Sequence, residues 1–168
     1  MPESRGRGDV YKWQSDIYSL GKVFKHGEQG IKHHPEFTLL EWYRVAWNEH
    51  QLMDELGTLI QLLIPKVIIK KISYQDLFST HFNIDPHSVD LADLKRLVKI
   101  EIDIRFDLFD KPTCFDLLMT HCIEPKMPEA LLFVYDYPHE SAALASLGTN
   151  AQGQTVARRF EAYLNGLE

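Results

Sequence analysis

The first apolar segments of the chain alternate with polar residues at a period of two. Residues 16–24 read DIYSLGKVF, and residues 36–47 form a second segment of the same kind. Residues 26–35, HGEQGIKHHP, lie between these segments and hold two glycines and a proline, which is a composition typical of a loop. The pattern therefore predicts two strands joined into a hairpin by a loop longer than a tight turn.

A helical period replaces this alternation after residue 47. Apolar side chains from Leu52 to Leu63 recur at a spacing that places them on one stripe of a helix. Asn48 and Gln51 stand three residues apart before the stripe, as in a capping box, and Pro65 follows its end. We therefore predict an amphipathic helix that begins after Asn48 and stops before Pro65.

The second half of the chain mixes short helices with apolar strands. Residues 131–135 and 156–164 are predicted strands. Residues 66–72 are rich in both β-branched residues and lysine, so their pattern does not decide between helix and strand. Because no regular alternation of strand and helix runs through the chain, we expect one α+β domain over residues 15–168, an antiparallel sheet with helices on one side. Three shorter helices are predicted to begin at Ser73, at Asp90 and near Pro112.

Composition and charge exclude several function classes. Eighteen basic against twenty-four acidic residues give a net charge of -6, which argues against general nucleic-acid binding, because that affinity depends on neutralised phosphates. The most apolar stretch, residues 59–69, is interrupted and falls short of the roughly 20 residues that a membrane span needs. Residues 1–14 lack the apolar core of a signal peptide and are expected to form a poorly ordered lead-in. We therefore expect a cytoplasmic protein without membrane contact, in which Cys114 and Cys122 are free and buried.

The second predicted strand carries the most informative side chains. Period two places Phe37, Leu39, Glu41 and Tyr43 on one face. A carboxylate among apolar neighbours is costly unless it faces water or meets a positive partner, such as a ligand ammonium. Phe37 offers a flat platform for a purine, and the Tyr43 hydroxyl could share an amine with Glu41. The alternative is an exposed sheet face with incidental charge, which the pattern by itself favours.

Residues 24–44, FKHGEQGIKHHPEFTLLEWYR, resemble motif 2 of the class II aminoacyl-tRNA synthetases, in particular the lysyl branch and the lysyl-tRNA-synthetase-like ligases that modify elongation factor P. The strings SYQDLF, NIDP, LLFVYDYPHESAALA and VARRFEAYLNGLE are similar to the same relatives, so the resemblance covers residues 16–168. It implies a partial class II antiparallel β-sheet flanked by helices. It also implies ATP and Mg2+ as cofactors, with lysine or β-lysine activated for transfer to a lysine of elongation factor P or, in the synthetase branch, to tRNA.

The resemblance also implies roles for individual residues. Lys25 stands where the motif 2 arginine acts catalytically on the α-phosphate of ATP, and Glu168 stands at a metal-binding position. Lysine keeps the charge but lacks the planar fork that grips phosphate oxygens, so we expect weak adenylation. The remaining implied contacts are ATP binding by Lys25, Glu28, His33 and Phe37, and binding of the substrate amino group by Glu41 and Tyr43.

Two further motifs of the family are not found in this sequence. Motif 1 forms the homodimer contact of intact relatives, and motif 3 supplies an arginine to the ATP phosphates. We therefore expect a truncated domain that is weak or inactive by itself, of open oligomeric state, because adenylyl transfer depends on several preorganised positive charges. The alternative is a non-catalytic remnant or a protein-interaction module that keeps the fold. An RNA-binding module is disfavoured by the acidic balance, so tRNA is not an expected partner.

Overall fold

The computed structural model describes residues 15–25, 34–103 and 109–168. The predicted lead-in, residues 1–14, lies outside them. The chain divides into two units, residues 1–47 and residues 48–168. Each unit has its own β-sheet. The architecture is α+β, as the sequence predicted, whereas the treatment of residues 15–168 as one domain stays a prediction.

The first unit contains an antiparallel hairpin of strands β1 (Ile17–Phe24) and β2 (Glu36–Tyr43). Its ladder continues one step toward the loop, where the Lys25 amide donates to the Pro35 carbonyl at 2.9 Å. Strand β2 is shorter than the predicted segment 36–47. The backbone leaves the ladder there, because residues 45 and 46 form a turn in which Ala46 adopts a left-handed φ of 61°.

The second unit begins with helix α1 (Glu49–Leu63), whose start is the predicted capping box. The Gln51 amide donates to Asn48 Oδ1 at 3.0 Å, and the Asn48 amide donates to Gln51 Oε1 at 3.0 Å. These two bonds satisfy amides that have no partner inside the helix. The helix ends two residues before Pro65, so both predicted boundaries are confirmed.

A four-stranded sheet forms the centre of the second unit, in the order β3-β4-β6-β5. Strand β6 is antiparallel to both β4 and β5, as expected, but β3 runs parallel to β4. The ambiguous lysine-rich segment is thus a strand, and the three helices between β3 and β4 give the long connection that a parallel pair requires. The strands are β3 (Ile69–Ser73), β4 (Leu131–Pro138), β5 (Leu147–Thr149) and β6 (Thr155–Leu164).

The helices between β3 and β4 begin at polar caps. In each case the cap side chain accepts a hydrogen bond from an amide in the first turn, which confirms the predicted starts. A short π-helical turn and a 3-10 turn, Met119–Ile123 and Glu124–Lys126, then lead to β4, and a second 3-10 turn, His139–Ser141, follows it. The helices and caps are α2 (Tyr74–Phe82) after Ser73, α3 (Leu91–Ile102) after Asp90 and α4 (Lys111–Leu118) after Asp110.

Apolar clusters lie on both faces of this sheet. Phe133 packs with Met53 of α1 on one face, whereas Val134 joins a larger cluster with the helices α2, α3 and α4 on the other. The expectation that helices cover one side only is therefore wrong. The physical reason is the uninterrupted apolar run of β4, which is buried at every position from Leu131 to Val134 and so needs cover on both faces.

Cys114 and Cys122 are free and buried, as the sequence predicted. Burial raises the pKa of both thiols, which keeps them protonated and unreactive. Among the helices of the described ranges, none combines the length and the apolar character needed to cross a membrane.

Candidate functional site on the hairpin

One face of the hairpin collects most of the side chains that the sequence singled out. The register pairs Val23 with Phe37, and Lys25 follows Val23 by two residues. Because side chains alternate along a strand and the ladder continues to Lys25, backbone alternation assigns Lys25, Phe37, Glu41 and Tyr43 to the same face. The predicted arrangement of Phe37, Glu41 and Tyr43 is confirmed by this register. We call this surface the Glu41 face.

Small residues of β1 stand beside the carboxylate. Ser19 is the direct partner of Glu41, and Gly21 is the partner of Leu39. A Cβ atom added to Gly21 would meet no heavy atom within 4 Å. The hairpin itself therefore leaves the Glu41 face open beside the carboxylate. These two residues could not be singled out from the sequence, because their positions opposite β2 depend on the register of the hairpin.

Glu41 itself is exposed. Within the described ranges its carboxylate makes no hydrogen bond and no ion pair. Of the two possibilities raised by the sequence, exposure to water is the one that the structure shows. An exposed carboxylate between an aromatic ring and a tyrosine remains available to a cationic ligand.

The aromatic members of the Glu41 face differ in burial. Phe37 keeps 39% of its surface exposed, although it is a large apolar residue near the start of a paired strand. Tyr43 is half-buried near the other end of β2. An exposed ring at one end and a tyrosine hydroxyl at the other give the face two different contact chemistries.

Two ion pairs of the hairpin lie at positions that alternate with Glu41. Lys22 Nζ lies 2.6 Å from Glu36 Oε1, and Arg44 Nη1 lies 3.0 Å from Asp16 Oδ2. Asp16 also accepts the Val45 amide, and this hydrogen bond, followed by Arg44, lowers the pKa of its carboxyl. These pairs occupy the alternate positions of the ladder, so they leave the Glu41 face to its own residues.

The remaining predicted site residues are Glu28, His33 and Glu168. Glu28 and His33 lie outside the described residues. Glu168 belongs to the second unit, at the end of the chain. Across the ranges that the structure describes, no three His, Cys, Asp or Glu side chains are grouped as a metal ion requires.

A buried ion cluster in the second unit has a structural role. Asp136 is 7% exposed and has a left-handed φ of 56° at a bulge in β4. Arg158 lies between two carboxylates, with Nη1 at 3.3 Å from Asp136 Oδ1 and at 3.1 Å from Glu49 Oε1. Burial raises the pKa of Asp136, and Arg158 opposes that shift. The cluster joins β4, β6 and the start of α1.

Comparison with known proteins identifies the same family as the motif 2 resemblance of the hairpin segment. Residues 14–168 match the family model of the class II tRNA synthetases (D, K and N). Elongation factor P–(R)-β-lysine ligases from Vibrio cholerae, Vibrio vulnificus and Yersinia enterocolitica are each 39% identical to the chain over 155 residues, which are 90% of this chain and 47% of each relative. The chain thus spans about half the length of these relatives. It belongs to the class II tRNA synthetase family of the D, K and N type.

Proposed function

We propose that this chain forms the substrate-recognition part of an ATP-dependent lysine ligase, which activates lysine or β-lysine and transfers it to a lysine of elongation factor P. The observation that carries the proposal is the placement of Lys25, Phe37, Glu41 and Tyr43 on one face of the hairpin. The names of the relatives, elongation factor P–(R)-β-lysine ligases, supply the acceptor and the amino acid. The proposed place of action is the cytoplasm.

The spacing on the Glu41 face suits an amino acid joined to a nucleotide. Phe37 and Glu41 are four residues apart in a strand, which corresponds to roughly 13 Å. A purine stacked on Phe37 and an ammonium held by Glu41 and Tyr43 would therefore be separated by a span that ribose, phosphate and an amino-acid backbone can fill. Lys25 follows Val23, the partner of Phe37, at the nucleotide end.

The proposed reaction has two steps. In the first, a carboxylate oxygen of the amino acid attacks the α-phosphorus of ATP, an aminoacyl adenylate forms, and pyrophosphate leaves. In the second, the acceptor amine attacks the activated carbonyl, an amide bond forms, and AMP leaves. Glu41 would orient the substrate through its ammonium, and Lys25 would offset negative charge at the phosphate.

Lys25 limits what this chain can do in the first step, because it presents a point charge where a forked guanidinium would hold two phosphate oxygens. Mg2+ would arrive on the ATP phosphates, and Glu168 would contribute one oxygen to it. We infer that the chain by itself binds its ligands more readily than it turns them over. If so, the retained fold would serve recognition, which is the second candidate function.

Calorimetric titration tests the proposal. ATP with Mg2+ is added to the purified chain alone and then in the presence of saturating lysine. Adjacent binding on one face predicts that lysine tightens ATP binding and that ATP tightens lysine binding by the same factor, because coupling between two ligands is reciprocal. If neither ligand binds, the proposal is contradicted. If the two ligands bind independently, they do not share the Glu41 face.

A further inference from the structure

The second unit contains a cavity of about 280 Å3 at the edge of its sheet. Strand β3, which ends the strand order β3-β4-β6-β5, supplies three of the lining residues. The others come from α2, from β4, and from Lys126 and the two residues that follow it. The volume lies just below the range of roughly 300–1,000 Å3 that is usual for small-molecule pockets, so the cavity suits a small ligand.

The inner wall of this cavity is apolar. Leu77 of α2 and Leu132 of β4 are 3% and 6% exposed, and the half-buried side chains of Ile72 and Met127 pack against the same cluster. Apolar surface that lines a cavity is stabilised when an apolar group covers it. The inner wall therefore fits an alkyl group.

Positive charge surrounds the apolar wall. Three exposed lysines line the cavity, and no carboxylate from the described ranges does. The charge of Lys71 is already matched, because its Nζ lies 2.5 Å from Asp54 Oδ1. Lys70 and Lys126 form no ion pair with any residue that the structure describes. Two ammonium groups are therefore available at this cavity for an anionic ligand.

The combination of wall and charge distinguishes between kinds of ligand. A cation would be repelled by the ammonium groups of Lys70 and Lys126, since like charges repel. A nucleotide or a sugar phosphate would place polar ring atoms against an apolar wall, where they would lack hydrogen-bond partners. A ligand with one anionic end and an alkyl tail satisfies both parts of the cavity, because its tail covers the wall while its charge stays beside the exposed lysines.

We propose that this cavity binds a small carboxylate with a short unbranched alkyl tail. The tail lies against Leu77 and Leu132, and the carboxylate lies at Lys70 and Lys126. All four residues belong to the second unit, and the function proposed for the hairpin uses none of them. This site therefore does not depend on the Glu41 face.

NMR of the full chain carrying 13C-labelled methionine methyl groups tests the site. Met127 lines the cavity, whereas Met53 packs on the opposite face of the sheet, so the two methyl signals separate binding in the cavity from a general effect. Hexanoate should shift the Met127 signal saturably and leave the Met53 signal in place. It should bind about tenfold more tightly than butyrate, because each buried methylene contributes about three- to fourfold. Hexan-1-ol and n-hexylammonium have the same tail without the negative charge and should bind at least about fivefold more weakly.

Lysine variants locate the charged end of the ligand. Lys70→Gln and Lys126→Gln should each weaken hexanoate binding by about two- to fivefold, as expected for exposed charges, and the double variant should weaken it by about tenfold. Lys70→Arg combined with Lys126→Arg keeps both charges and should stay within about twofold of native. Lys99→Gln removes an exposed lysine of α3 that does not line the cavity, and it should bind hexanoate as the native chain does.

Glu41→Gln should also leave hexanoate binding unchanged, so failure of the Glu41 face and failure of the cavity are distinguishable. Any of four results would overturn the proposal: absence of saturable shifts, equal shifts of the Met53 and Met127 signals, equal binding of hexan-1-ol, or native-like binding by the folded double glutamine variant.

Discussion

Ser19 and Glu41 face each other directly across the antiparallel ladder of the hairpin. The small side chain of Ser19 leaves the carboxylate open on that side, and Gly21 leaves the next position open as well. An acid with small cross-strand neighbours has room for a ligand, whereas an acid opposite a large side chain would be covered by it.

The first prediction concerns this open space. Replacing Ser19 by leucine should fill it and weaken lysine binding by about tenfold, because the larger side chain would cover the carboxylate of Glu41. Thr38→Leu makes a similar change at an alternate position of the same hairpin and should leave the affinity near native. Calorimetric titration with lysine measures both variants. Equal affinities in the two variants would show that the space beside Glu41 is not used.

The second prediction concerns the charge at the loop end of the hairpin. Lys25→Arg should increase ATP affinity by about three- to tenfold, because a guanidinium can donate two parallel hydrogen bonds to phosphate oxygens. Lys22→Arg is the matched control, since Lys22 lies at an alternate position and pairs with Glu36. Titration with ATP and Mg2+ gives the two affinities. A higher ATP affinity for Lys22→Arg but not for Lys25→Arg would show that the nucleotide does not bind beside Lys25.

The third prediction is a pH dependence from Asp136. Burial raises its pKa in the folded chain, so the folded state holds this proton more tightly than the unfolded state does. The contribution of Asp136 to stability is therefore most favourable below its ordinary pKa and declines as pH rises through the raised value. Asp136→Asn has no proton to lose, so its unfolding free energy relative to native should increase across this window. Urea unfolding between about pH 4 and pH 7 measures the difference, and a flat or decreasing difference would contradict it.

The fourth prediction concerns the apolar cluster between the sheet and α1. Phe133 is fully buried against Met53, and Phe133→Ala should lower the free energy of unfolding of the second unit by about 3–5 kcal/mol. Phe37→Ala removes the same atoms from a partly exposed position and should cost less than about 1 kcal/mol. Urea unfolding followed by circular dichroism compares the two. Similar losses would mean that Phe37 is buried in the folded chain.

Much of this fold followed from local patterns. Alternation gave the hairpin and the face of Glu41, and the Asn48–Gln51 pair gave the start of α1, because each depends on residues a few positions apart. The pairing of β3 with β4 could not be predicted, since Ile69 and Leu131 meet only after three helices intervene. The cover on both faces of β4 depends on the same distant contacts.

The site residues also differ in whether the sequence could predict them. Phe37, Glu41 and Tyr43 lie within one strand, so period two was sufficient to bring them together. Ser19 needed the register of the hairpin before its position opposite Glu41 had meaning. Glu49, Asp136 and Arg158 come from α1, β4 and β6, and only the packed second unit brings their side chains together.

The most direct test of the account is the affinity for lysine of Glu41→Gln compared with that of Glu36→Gln. Both changes remove one exposed carboxylate from β2, but Glu36 lies at an alternate position and pairs with Lys22. We predict that Glu41→Gln weakens lysine binding by about tenfold or more while Glu36→Gln binds as the native chain does. Native-like binding by Glu41→Gln, or equal loss in both variants, would contradict the assignment of Glu41 as the residue that receives the substrate ammonium.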